Sequence, residues 1–509
     1  MRFTKSIRII LGVVILAFTL SSCTKEAEPR SFQEREKISL EAWIKLNKPE
    51  LLNNYQEEGG YYVEILEGDK NENIPISFDT DGRVLNYGSA PLMEQDTCWV
   101  YTNMTGRDIN GTICMTRSGN LADLCGTFSY STHYVPFFNY CGNTNMGLLE
   151  GTYLAMRHEL KIGDATYKMR KGSKVRLYLP SSIAYGNGGS NTQGGYEGQY
   201  SLNASRPLVL DIEVLGAIKN PSKREEEMVN SYKGYNGNDA WVQATKPESE
   251  KTDEKDDLKL AGLYYNLKFN PENDNSMVYI KPHLDGTNNP YEDGKTYTSM
   301  VTLNKQINEI LAKRFGKGLS AEAIEKGDKE VTMGGRANVW YIVRFLDGFV
   351  VDTNIAEIRT LVYKEDAPEC EVFSYSPTDD EGKAQSERQA IGAWYYCIPK
   401  MHYGAYGQIL TTSGYAYGIS GLTGTTTTTE TSTSGSLDYY NAMNYYNYYN
   451  YYNSYYNYYS PYYNYYDYNY YNYNYDMTEE EVTTTKTIST EILPYTPLVF
   501  TLYVEPYEY

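Results

Sequence analysis

Apolar and polar residues alternate most clearly in two runs, Val175 to Leu179 and Leu208 to Leu215, which have the period of strands half-buried in an antiparallel sheet. Gly262 to Leu267 reads as another strand. Helical spacing is rarer. "TLNKQINEILAKRFGKG" (Thr302 to Gly318) is amphipathic and should end at Gly316 or Gly318. Ile391 to Tyr403 has room for one short helix limited by Pro399, Leu154 to Lys171 for a fuller one, and Phe32 to Leu46 for a short one. Strands that need a cover, with few helices to supply it, predict an α+β layer in which one helix packs on an antiparallel sheet.

The pattern repeats. "MRKGSKVRLYLPSSIAYG" (Met169 to Gly186) and "MHYGAYGQILTTSGYAYG" (Met401 to Gly418) align without gaps. Upstream of each stands the same tetrapeptide, Phe128 to Ser131 and Phe373 to Ser376. Downstream, "RPLVLDIEVL" from Arg206 matches "TPLVFTLYVE" from Thr496. Three matches in one order imply a duplicated domain. That suits a chain of 509 residues, too long for one ordinary core.

Composition narrows the function classes. A net charge of −19 without a basic patch argues against nucleic acid. The N-terminus carries Arg2, Lys5 and Arg8, then an apolar run from Ile9 to Leu20 too short to span a bilayer, then Leu20-Ser-Ser-Cys23. This resembles a bacterial lipobox, which implies lipidation of Cys23 and a membrane tether. The reading is of a cell-envelope lipoprotein, anchored in the outer membrane on its periplasmic or its surface face. Six further cysteines (98, 114, 125, 141, 370 and 397) permit disulfides without fixing their pairing. They and the four histidines lack metal-ligand spacing, so no metal is expected. A charged stretch, Lys219 to Asp257, reads as a solvated linker in which Trp241 is open to docking on a neighbour.

The repeated motifs resemble those of the FKBP-type peptidyl-prolyl isomerases. "GSKVRLYLPSSIAYG" with "LVLDIEVL" in the first copy carries the likeness, as do "YIVRFLDGFVVD" (Tyr341 to Asp352) and "AIGAW" (Ala390 to Trp394) in the second. The resemblance implies two domains, each a five-stranded antiparallel sheet around a short helix. It also implies catalysis without a cofactor on proline-containing polypeptides. Carried over by motif, the second copy's pocket would have Trp394 as floor, Tyr341 and Phe500 as aromatic walls, and Ile391 offering a backbone N–H. Tyr417 would offer a hydroxyl and Asp352 would sit beside the twisting amide. Val351 stands where the family has Phe, and Phe373 or Tyr375 is a further pocket ring. In the first copy Tyr101 and Tyr185 survive, Met115 stands at or near the Asp position, Leu210 replaces the Phe, and Tyr153 is the best substitute for the Trp. That pocket is expected to be degenerate.

The organisation that follows is a signal peptide (1–22), a tether (23–58), a first domain (59–218), a linker (219–258) and a second domain (259–509) with insertions at about 271–327 and 419–490. In the first copy 22 positions separate Gly186 from Leu208; in the second, 80 separate Gly418 from Leu498. The difference holds a Tyr/Asn-rich tract, 439–475, in the loop that the resemblance places over the pocket. Its flanks, Thr423 to Ser434 and Glu481 to Ile492, are β-prone and suited to pair as a ribbon. The tract is either a tolerated expansion or an arm for peptides, glycans or self-association. Two functions fit the chain: an exported prolyl isomerase or folding factor, and a non-catalytic surface-binding or adhesive protein on the same scaffold.

Overall fold

The computed structural model describes residues 31–67, 99–140, 149–186, 188–191, 201–218, 221–235, 238–251, 258–273, 294–364, 371–377, 391–422 and 491–507, with short strand pieces at 426–427, 431–432, 482–483 and 487–488. Cys23, the rest of the segment expected to be a signal peptide, and the Tyr/Asn-rich tract lie outside the described residues. So do Cys98, Cys141 and Cys370. Among the described residues no helix is long and apolar enough to cross a membrane.

The chain divides into two compact units. The first holds the described residues up to Gly126, then 135–191 and 201–218; the second holds 127–134 and everything from Pro221. Each is α+β and built on a seven-stranded sheet whose strands pair antiparallel among the described residues. In the first unit the order is Tyr55–Gln56, Tyr61–Glu67, Lys174–Leu179, Leu208–Ile218, Trp99–Arg107 and Ile113–Thr116, with Phe137–Tyr140 also paired to Trp99–Arg107. In the second it is Val242–Thr245, Lys259–Asn266, Ala405–Thr411, Leu498–Pro506, Ala337–Phe345 and Val350–Thr353, with Phe373–Tyr375 paired to Ala337–Phe345. The two orders correspond strand for strand. Each sheet therefore exceeds the five strands expected, because a two- or four-residue edge strand and a three- or four-residue strand are added to the long ones.

Period-two alternation sorts the last strand of the second unit onto two cores. Leu498, Phe500, Leu502 and Val504 point into one cluster with the short helix Gly392–Cys397. Val499 points the other way, into a cluster with Val229, Tyr232 and Trp241. That second cover comes from the stretch read as a solvated linker. Helix Pro221–Tyr235 and strand Val242–Thr245 lie there, and their apolar side is buried. Charge masks the helix in the sequence: "KREEE" occupies the first turns of a helix whose buried positions, Glu225, Val229 and Tyr232, are spaced i, i+4, i+7. The first unit has the same device in the region read as tether. Helix Phe32–Asn47 starts on a capping box between Ser31 and Glu34 and buries Glu36, Leu40 and Ile44.

The insertion helix spans Gly294–Phe315 and stops at Gly316, whose φ of +72° is the left-handed conformation that glycine favours. Its Ile307 and Leu311 bury against Ile342 and Tyr406 on the sheet and Ile358 and Val362 of helix Ala356–Tyr363. Pro399 does limit the short helix of this unit, which passes at Ile398 into a single 3-10 turn. The fuller helix expected over Leu154 to Lys171 is instead helix Glu150–Arg157 followed by a hairpin, Leu160–Ile162 with Ala165–Tyr167. Gly163 at φ +60° makes the turn that ends any helical continuation there. The matching tetrapeptides also part company: Phe373–Tyr375 is a sheet strand, but its counterpart in the first unit is Phe137–Tyr140, not Phe128 to Ser131. The ribbon expected from the tract's flanks is present, with Thr426–Thr427 paired to Thr487–Ile488 and Thr431–Ser432 to Val482–Thr483.

Candidate active site

In the second unit four elements, set by strand register, bring the residues expected to form a pocket together. Strand Ala337–Phe345 supplies Tyr341, strand Val350–Thr353 supplies Asp352, and the last strand places Phe500 opposite Val343, which also faces Asp352. Helix Gly392–Cys397 supplies Trp394. Ile391 is the N-cap of that helix, and its side chain makes no capping hydrogen bond.

Trp394 is buried and met at its edges by three rings. Tyr341 lies 5.4 Å away at 65°, Phe373 5.0 Å at 83° and Phe500 5.9 Å at 80°. Such near-perpendicular contacts suit the quadrupoles of the rings and fix the indole plane. Of the two candidates for a further ring, Phe373 is the one against the indole. Tyr375 is fully buried in the core beneath. Val351 is also buried in that core. Among the described residues the indole N–H of Trp394 has no hydrogen-bond partner. Ile391, Tyr415 and Tyr417 pack against the same cluster.

One polar group stands among these rings. The Tyr341 hydroxyl donates to Asp352 Oδ2 at 2.9 Å, and the Thr353 N–H donates to Oδ1 at 2.8 Å. Arg359 is 3.7 Å from Oδ1 and donates to the Thr353 carbonyl at 3.0 Å. Arg359 was not read from the sequence. The signal would have been an arginine seven residues past the aspartate, on a helix that the sequence reading did not place. Burial drives the Asp352 carboxyl above the usual carboxylate range against the pull of Tyr341 and Arg359. Burial, and then the Asp352 charge, push the phenols of Tyr341 and Tyr417 up, so both stay protonated donors.

The same positions in the first unit hold different chemistry. Met115 faces Gly106 as Asp352 faces Val343, so the carboxylate is replaced by a buried thioether. A Cβ on Gly106 would meet Met115 Cγ at 2.5 Å, which shows how closely that side chain fills the space. Counting from the last strand, Met104 faces Ile212 as Tyr341 faces Leu502. Tyr101 is therefore three residues away from the place assigned to it, a shift that the longer hairpin had hidden. It stacks on Phe138 instead. Aligned on their caps, Leu149 and Ile391, the helices put buried Thr152 at the position of Trp394, while Tyr153 is only half-buried. Leu210 is fully buried where Phe500 stands, and the Tyr185 hydroxyl lies 3.5 Å from Met115 Sδ.

No protein-family model and no curated protein sequence matches the chain. Among solved structures it is similar to FKBP-type prolyl isomerases. These include the three FKBP domains of wheat FKBP73, with 10% identity over 88% of this chain and 95% of that one at a TM-score of 0.19. A peptidyl-prolyl cis-trans isomerase from Pseudomonas syringae pv. tomato shares 17% identity over 37% and 98% of the two chains at a TM-score of 0.20. FkpA from Escherichia coli shares 18% identity over 42% and 72% at a TM-score of 0.19.

Proposed function

We propose that the chain is a prolyl isomerase with two FKBP-like domains, active in the second, and that it works as a folding factor for exported polypeptides. One observation carries this reading: a carboxylate held by a tyrosine whose ring, with those of Phe373 and Phe500, packs around Trp394. A prolyl amide rotates against a barrier of ~18–20 kcal/mol because rotation breaks resonance. The twisted amide has less charge separation than the planar one, so an apolar, water-poor pocket favours it over the ground state. In this scheme the proline ring rests on Trp394 between Tyr341 and Phe500. The Ile391 N–H and Tyr417 hydroxyl hold flanking carbonyls, and Asp352 lies beside the rotating bond. Tyr341 and Arg359 hold Asp352 in place, and no covalent step is needed.

The first domain lacks the carboxylate, the tyrosine and the indole at the matching positions, which supports a binding or structural role for it. The N-terminal motif supports lipidation at Cys23 and anchoring in the cell envelope. A prolyl-peptide isomerisation assay on the full chain, with Asp352→Ala and Trp394→Ala beside it, tests the assignment. Activity untouched by both changes would refute it.

A further inference from the structure

Each unit buries a glutamate that the pocket chemistry does not use. Glu36 of helix Phe32–Asn47 and Glu225 of helix Pro221–Tyr235 are 6% and 3% exposed. They are the same position of the repeat, since Leu40 and Val229, and Trp43 and Tyr232, follow them at equal spacing. Both carboxylates end on a serine. Glu225 accepts the Ser413 N–H at 2.7 Å and the Ser413 hydroxyl at 2.8 Å. Glu36 accepts the Ser181 N–H at 2.8 Å and its hydroxyl at 2.5 Å.

The serine passes the constraint on. Its carbonyl accepts from the backbone N–H on either side of a tyrosine: Ala416 and Gly418, each at 2.8 Å, bracket Tyr417. Ala184 at 3.0 Å and Gly186 at 2.7 Å bracket Tyr185. The two turns share one conformation, with Ala184 at φ −118°, ψ −113° and Ala416 at φ −122°, ψ −104°. A buried carboxylate is costly to keep, and an exposed turn could satisfy its serine with water. Its recurrence in both units ties it to the turn's geometry, and in the second unit that turn carries a pocket residue.

We propose that Glu225 is a positioning residue of the second domain's pocket: through Ser413 it fixes the turn that aims the Tyr417 hydroxyl at substrate. The proposal rests on reading the pocket as an isomerase site, and it assigns a catalytic purpose to a helix outside the family-like core. In the first domain Glu36 holds the corresponding turn with no active pocket to serve.

The test uses the full chain in four forms, wild type, Glu225→Ala, Glu225→Gln and Glu36→Ala, and two readouts. Amide hydrogen exchange at Ala416 and Gly418 should quicken in Glu225→Ala, while kcat/KM for a prolyl peptide falls roughly tenfold, as expected when a contacting group is displaced. Glu225→Gln, which keeps an acceptor for the Ser413 N–H, should recover most of both. Glu36→Ala should quicken exchange at Ala184 and Gly186 and leave kcat/KM unchanged, which a general loss of stability would not do. Unchanged exchange at Ala416 and Gly418 in a folded Glu225→Ala, or quickened exchange with full activity, would overturn the proposal. Should Glu225→Ala not fold, Ser413→Ala removes the hydroxyl contact alone and is judged by the same two readings. A wild-type chain without isomerase activity refutes the pocket assignment separately, and exchange then decides whether Glu225 holds the turn.

Discussion

Asp352 is a carboxylate that its surroundings both strain and support. Burial disfavours its charge, and the phenol of Tyr341 offsets part of that cost. Replacing Tyr341 with Phe removes a donor that stabilises the ionised form, so the Asp352 pKa should rise further. The acid limb of the kcat/KM profile should then move to higher pH in Tyr341→Phe, and a limb that stays in place would show that Asp352 ionisation does not govern activity. Trp394→Ala empties the site that three rings enclose, and equilibrium urea unfolding should record a loss of about 3–5 kcal/mol. At this scale the sequence was informative where spacing is rigid: Tyr341, Asp352 and Phe500 lie on adjacent strands, and the spacing along them lets a motif put them together. It failed where the backbone changes register. Tyr101 looks like the partner of Tyr341 until the longer hairpin is counted, and then Met104 takes its place.

Of the helices that precede the two sheets, Phe32–Asn47 was legible in the sequence and Pro221–Tyr235 was not. "SFQE" at Ser31 to Glu34 is a capping box that announces helix Phe32–Asn47. "KREEEMVNSY" has a buried stripe that begins with a charged residue, so hydropathy passed over it. That charged residue gives the helix a pH signature. Desolvation pushes the Glu225 carboxyl up to about 7 from an ordinary 4.5, outweighing its hydrogen bonds from Ser413 and the nearby Arg224, with Glu226 adding to the rise. Between about pH 4.5 and 7 the folded chain keeps a proton that the unfolded chain has lost, so stability falls as pH rises through that window. The fall should be on the order of 2–3 kcal/mol and should vanish in Glu225→Gln, as read from urea midpoints across the window. An equal slope in wild type and variant would contradict this.

For the whole molecule, the duplication was legible because each copy keeps the same strand order around its sheet, and strands announce themselves by alternation. The additions were legible only in part. Helices Gly294–Phe315 and Ala356–Tyr363 form a second core behind the sheet of the second unit, and only the first of them had a readable period. Cys23→Ser should shift the protein from the membrane pellet to the soluble fraction of fractionated cells if the N-terminal motif is a lipid anchor. Deleting 439–475 beyond its β ribbon should leave prolyl-peptide turnover in place; a change in substrate range or self-association would mark the tract as an arm.

The proposed activity requires a carboxylate and an indole to act on a prolyl bond. The direct test is the rate of cis-to-trans conversion of a proline-containing peptide catalysed by the full chain and by its Asp352→Ala form. The wild-type chain should accelerate conversion, and Asp352→Ala should lose at least roughly tenfold in kcat/KM, about 1.4 kcal/mol of transition-state stabilisation. Equal rates in the two, or no acceleration by either, would contradict it.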